Sequence, residues 1–241
     1  MVEADALPEA AQQGIDAFTA AARQVFGADL IAVVLYGSAA DGRLRATSDV
    51  NVIIVLKRVE RAALEAIGPA YRLAHAAIRL SAMFILESEI AFAAEAFAVK
   101  FADVSARHRV LYGTDPFERL TIDREAAIRR LRQVMINLTL RLREHLALSG
   151  AFPEQLALAA AEAVGPLRAS AALILTLETG ETAHPREALA AIAAALGQAA
   201  ALEAITKARE TGTEPEIGGS ATLDGAITLA EALAARAEAL A

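Results

Sequence analysis

The 241-residue sequence has no cysteine and no tryptophan, and aromatic residues make up only 5% of it. Without cysteine, disulfides and thiolate metal sites are excluded. Few aromatics, set against a hydrophobic content of 56% with much alanine, favour packed Ala-rich helices over an all-β sandwich. No basic-plus-apolar leader opens the chain, which starts MVEADALPEA, so the expectation is a soluble, cytoplasmic protein. The longest uncharged run, Ala188 to Leu202, contains Gly197 and Gln198. It falls short of the ~18 apolar residues a membrane span requires, so no membrane association is expected. The sequence holds neither a GxxxxGK[ST] nor a GxGxxG phosphate loop and no Ser-His-Asp order, and His75, His108, His145 and His184 lack metal-ligand spacing.

The net charge of −7 is uneven: residues 1–150 carry 18 basic and 18 acidic residues, whereas 151–241 carry 5 and 12. A balanced first part with clustered arginines suits a small polyanionic ligand, and the acidic remainder argues against general nucleic-acid binding. Five of those arginines (Arg129, Arg130, Arg132, Arg141 and Arg143) fall on one helical segment, where a solvated face is the ordinary reading.

What the sequence does contain is concentrated in residues 33–56, VVLYGSAADGRLRATSDVNVIIVL. Short apolar runs rich in Val and bounded by Gly, Ser and Asp are strand signals, which predicts a strand ending at Tyr36 and another over Val52 to Val55. Between them, Gly37-Ser38 either forms an ordinary tight turn or brings backbone amides and a hydroxyl to a phosphate. Asp49 either starts the second strand or holds the Mg²⁺ that accompanies a triphosphate. Arg43 and Arg45, in the intervening loop, are candidate phosphate contacts or simply solvated.

The pattern Gly37, Ser38, a spacer, Asp49 and then residue 51 resembles the nucleotidyltransferase superfamily, which includes DNA polymerase β-like and aminoglycoside nucleotidyltransferase-like enzymes. The resemblance implies a nucleoside triphosphate (ATP) and Mg²⁺ as cofactors, and transfer of a nucleoside monophosphate to a hydroxyl of a small-molecule acceptor. It implies Gly37 and Ser38 as phosphate-binding residues and Asp49 as a catalytic metal ligand. The second acid of the pattern stands here as Asn51, which offers an oxygen but no charge. A third carboxylate is expected on a later core strand; Asp103 is the candidate, on one strand face with Val99 and Phe101. Lys100, beside it, is then placed to neutralise phosphate.

Along the chain, apolar spacing at Ile15, Phe18, Ala22 and Phe26 predicts a first helix over 8–26, and 60–77 a second, kinked at Gly68-Pro69. Residues 79–88 read as a third strand, 89–97 as a short helix, and Val99 to Val104 as a fourth strand leading to a linking RVLYG segment. Beyond Thr114-Asp115-Pro116 only helices are expected: 123–148, 153–178 bent at Gly165-Pro166, 185–196, 199–209, and a last one N-capped by Ser220. The fold class is therefore α+β, a mixed sheet with flanking helices followed by an all-α helical bundle, with domains 1–114 and 115–241. This layout too resembles the aminoglycoside-type enzymes.

Two classes of function remain open on the residues alone. One is a nucleotidyltransferase using Asp49 and Asp103, with Asn51 as a poor substitute. The other is a member without chemistry that binds nucleotide or a protein partner, as in antitoxin-like regulators. A fused ribonuclease is not expected, because the nearest Arg-to-His pair, Arg141 and His145, is spaced too closely for that signature. The weakly amphipathic final helices leave room for a homodimer interface without demanding one.

Overall fold

The computed structural model describes residues 7–42, 44 and 48–240. The chain divides into two compact units, Met1–Ala94 with Val104–Thr121 and Glu95–Asp103 with Ile122–Ala241.

In the first unit, α1 (Glu9–Phe26) leads into β1 (Leu30–Tyr36), a 3-10 turn at Gly37–Ala39, β2 (Val50–Leu56), α2 (Arg61–Ile78) and β3 (Leu80–Leu86). A short helix α3 (Ile90–Ala96) and α4 (Ala98–Ala106), whose residues 95–103 belong to the second unit, precede β4 (His108–Gly113). Among the described residues these strands form one mixed sheet in the order β3-β2-β1-β4, with β2 and β3 parallel and β1 antiparallel to both its neighbours. The inner strands β1 and β2 are buried along almost their whole length, which is why both read as continuous Val/Ile/Leu runs rather than alternating ones. Ile15, Phe18, Ala22 and Phe26 repeat at helical spacing on α1 and join Val33, Leu35, Val52, Ile54 and Leu56 in one core. Burying each of the large side chains contributes about 1.5–3 kcal/mol. Gly113 ends β4 with φ +83°, and a Cβ there would lie 1.9 Å from the Ile31 carbonyl oxygen, so only glycine fits where β4 closes onto β1.

The second unit contains α5 (Arg124–Ser149), α6 (Pro153–Thr179), α7 (Pro185–Ala195), α8 (Ala199–Thr211) and α9 (Gly219–Ala239). Asp123 caps α5 by accepting a hydrogen bond from the Ala126 amide, 2.8 Å. The apolar seam of α5 is buried at Ile128, Leu131, Met135 and Leu142. It ends before Leu146, which is exposed. α6 packs against α5, α7, α8 and α9. Its composition passes for a membrane span, yet 61% of its most apolar 18-residue window is buried within the protein, as a core helix requires. Three arginines of α5 are surface ties: Arg129 pairs with Glu125, Arg143 with Glu231, and Arg132 donates to the Ala237 and Glu238 carbonyls at the end of α9.

Several expectations need correction. Residues 99–104 are not a strand but part of α4; Ala98, Phe101 and Val104 are buried at three-residue spacing, which a helix satisfies and an alternating strand does not. The fourth strand is instead the HRVLYG segment read as a link. α2 and α6 each run without a break through their internal prolines, Pro69 and Pro166. Ser220 is not an N-cap: α9 starts one residue earlier, and the Glu214 carboxylate accepts from the Gly219 amide at 2.8 Å.

Candidate functional site

The sheet topology brings the two halves of the motif to one end of the first unit. Because β1 runs antiparallel to β2, the C-terminal end of β1 lies beside the start of β2, and Tyr36 pairs with Asn51. Parallel pairing sets Asn51 against Ser81 at the start of β3, and Tyr36 faces His108 at the start of β4. A polar row Ser81–Asn51–Tyr36–His108 therefore crosses this sheet edge, with the Gly37-Ser38 turn immediately beyond it.

Gly37 adopts φ +75°, a conformation that favours glycine, and a Cβ at that position would meet the Asn51 amide nitrogen at 3.9 Å. The Gly37 carbonyl accepts from the Ala40 and Asp41 amides at 3.0 and 3.3 Å, which closes the turn. Gly37's own amide donates to the Arg107 carbonyl at 3.3 Å. The Arg107 guanidinium in turn pairs with Asp41, and the two side chains are only 17% and 19% exposed. Arg107 thus holds the turn at both ends, through its backbone and its side chain. Ser38 is half-buried.

Asp49 precedes β2, and its carboxylate accepts from Arg79 Nε at 2.9 Å. The side-chain amide of Asn51 donates to the Asp49 carbonyl at 3.4 Å. Asp103 is half-buried on α4 and belongs to the second unit, with Lys100 on the same helix. Desolvation lowers the Lys100 pKa from its ordinary value even though the residue as a whole is exposed. Arg43 and Arg45 lie outside the described residues. Among the described residues no group of three His, Asp or Glu side chains gathers as a metal-ligand set.

At the start of β4, His108 Nδ1 lies 2.9 Å from the Val104 carbonyl oxygen and Nε2 lies 3.0 Å from Asp115 Oδ2. Partial burial raises the Asp115 carboxyl pKa. The Phe117 amide, the His108 ring and the Glu118 amide outweigh it and hold the group below the usual carboxylate range.

No protein-family profile matches the sequence, and no curated protein matches it. Among solved structures the chain matches the crystal structure of spectinomycin adenyltransferase AAD(9) from Enterococcus faecialis with ATP and spectinomycin, with a TM-score of 0.68 over 92% of this chain and 98% of that one. The fold is a nucleotidyltransferase fold. At 13% identity the likeness is one of fold. The α+β layout expected from the sequence is thus the observed one: a mixed sheet with flanking helices, then helices.

Three residues at this sheet edge carry no assignment from the sequence: Arg79, Arg107 and Asp41. Asp41 sits four residues after Gly37, and Arg107 directly precedes a strand, but their partnership spans 66 positions and has no local signature. The signal for Arg79 is a helix that ends without glycine, in AAIRLSAMF.

Proposed function

We propose that this chain binds a nucleoside triphosphate, ATP, at the Gly37-Ser38 turn and the adjoining edge of the sheet, and does not transfer its nucleotide to an acceptor. The observation that carries this reading is the state of the motif carboxylate: Asp49 is engaged by Arg79, and its partner position is the neutral Asn51. Two-ion nucleotidyl transfer requires several carboxylate oxygens to hold divalent cations against the phosphates. One carboxylate already paired with a guanidinium, plus one amide, does not fit a pair of such ions. What this end of the sheet retains is a fixed turn with a glycine at positive φ, locked by Arg107 and Asp41. That is what phosphate binding needs from the backbone. Support for ATP comes from the neighbouring fold, whose crystal structure was obtained with ATP and spectinomycin.

Calorimetric titration with ATP, CTP, GTP and UTP, followed by a pyrophosphate-release assay with a panel of hydroxyl acceptors, tests the reading. Binding of ATP without release is the expected result. Acceptor-dependent pyrophosphate release overturns the claim of silence, and failure to bind any of the four nucleotides overturns the claim of a nucleotide site.

A further inference from the structure

Arg79 is, among the described residues, the one non-glycine position with positive φ, +53°. It is the C-cap of α2 in the left-handed region, where glycine is the usual occupant. For an L-residue this conformation is unfavourable by roughly 1–2 kcal/mol. The backbone is pinned there from both sides: its amide donates to the His75 carbonyl at 2.9 Å, and its carbonyl accepts from Val50, the first residue of β2, at 3.3 Å. The side chain therefore leaves a fixed point, one residue before β3, and reaches across to the residue just before β2.

That reach ends on Asp49, with the two side chains 61% and 52% exposed. A pair so exposed is worth about 0–1 kcal/mol, too little to justify the strained backbone as a stabilising device. It is also easily exchanged. A phosphate carries more charge than a carboxylate and accepts bidentate hydrogen bonds from the same planar fork. The strand register places the donor correctly: Asn51 stands between Ser81 and Tyr36, so Arg79, Asp49 and Gly37 cap three neighbouring strands. Neighbouring strands lie about 4.8 Å apart, so the outer two are separated by about 10 Å, a span within the reach of a polyphosphate. Arg107, which among the described residues also adjoins the turn, is largely buried and committed to Asp41. A divalent cation brought to Asp49 would meet the guanidinium already there, and the two charges repel.

We propose that Arg79 replaces the metal ion in this chain: its guanidinium leaves Asp49 for the phosphates of the bound nucleotide, so that binding needs no divalent cation and Asp49 acts as the competitor the nucleotide displaces. This rests on the reading that the Gly37-Ser38 turn binds a nucleoside triphosphate. The expected effect of mutation is opposite in sign to that at a metal site, because removing a metal ligand weakens binding whereas removing a competing anion strengthens it.

The test is ATP affinity by calorimetry in EDTA and in excess Mg²⁺, for the wild type, Arg79→Gly and Asp49→Asn, with melting temperatures recorded alongside. The wild type is expected to bind in EDTA within about threefold of its Mg²⁺ affinity. Arg79→Gly is expected to lose at least about tenfold of the EDTA affinity, the scale of one charge-assisted contact, while melting no lower than the wild type because glycine fits the left-handed cap. Asp49→Asn is expected to bind ATP about threefold or more tightly in EDTA. Wild-type binding that disappears in EDTA but persists with Mg²⁺ overturns this inference and leaves the nucleotide site standing. So does an Arg79→Gly variant with unchanged affinity, or an Asp49→Asn variant that binds more weakly. Absence of ATP binding under both conditions overturns the nucleotide site itself.

Discussion

Replacing Gly113 with alanine tests whether β4 closes on β1 as tightly as the backbone indicates. Two costs add. Alanine at φ +83° loses about 1 kcal/mol relative to glycine. Its Cβ would also start 1.9 Å from the Ile31 carbonyl oxygen, so the strands must part by about 1.1 Å to reach even 3.0 Å, a separation that Cβ contacts essentially never undercut. Overpacking of that kind costs about 1–3 kcal/mol, which gives a total of about 2–4 kcal/mol, a large fraction of an ordinary domain stability. Urea unfolding followed by tyrosine fluorescence is the assay. There is no tryptophan, and Tyr36, Tyr71 and Tyr112 all lie in the first unit, so the signal reports that unit alone. Gly180→Ala, which lies in the second unit and is followed by circular dichroism, provides the comparison: its φ is +78° but nothing lies within 4 Å of the added methyl, so only the backbone cost of about 1 kcal/mol applies. Equal losses for the two variants would refute the close approach at Ile31.

Other expectations follow from particular contacts. Asp115 titrates below the usual carboxylate range in the folded chain, so its contribution is fully present above the unfolded value of about 3.9 and is lost as pH falls through the depressed folded value. Asp115→Asn should therefore lower the melting temperature at pH 7 and converge with the wild type in strong acid; parallel pH curves would contradict this. Asn51→Asp returns a second carboxylate to the start of β2 and should raise ATP affinity about tenfold, ~1.4 kcal/mol, in Mg²⁺ but not in EDTA. Calorimetry decides it, and an unchanged Mg²⁺ affinity would remove position 51 from the phosphate region. Leu131→Ala empties a fully buried position on α5 and should cost about 2–5 kcal/mol by urea unfolding monitored by circular dichroism. A loss under about 1 kcal/mol would mean the helices repack freely.

Much of the fold can be read from the letters because the relevant signals are local. The Val/Ile runs of β1 and β2 need no partner to declare themselves, and α1 and α5 carry long helical periods. The misreading at 99–104 has a specific cause. In AFAVKFADV, apolar residues recur at both two- and three-residue intervals, alanine tolerates either conformation, and the deciding information is what is buried. The same ambiguity puts Asp103 on a strand face, whereas α4 carries it. At the candidate site, Gly37, Asp49 and Asn51 are visible as a spaced pattern. Arg79 is not, since its partner is 30 positions away and its role depends on a backbone angle that arginine rarely adopts.

The first unit is interrupted: the chain leaves it after Ala94, spends 95–103 in the other unit, and returns for β4. Ala98 and Val99 belong to a core whose other members begin at Ala127. During synthesis, the sheet can therefore be complete while this short segment still waits for its partners to emerge from the ribosome. At about 5–20 residues per second the remaining stretch of ~120 residues takes roughly 6–24 s. Until the helices of that core close, the apolar side chains of Ala98 and Val99 have no complete core to enter, which leaves this segment exposed to aggregation. The same threading means that no single cut separates the two units: a fragment ending at 121 carries an orphaned piece of the helical core, and one starting at 122 lacks it.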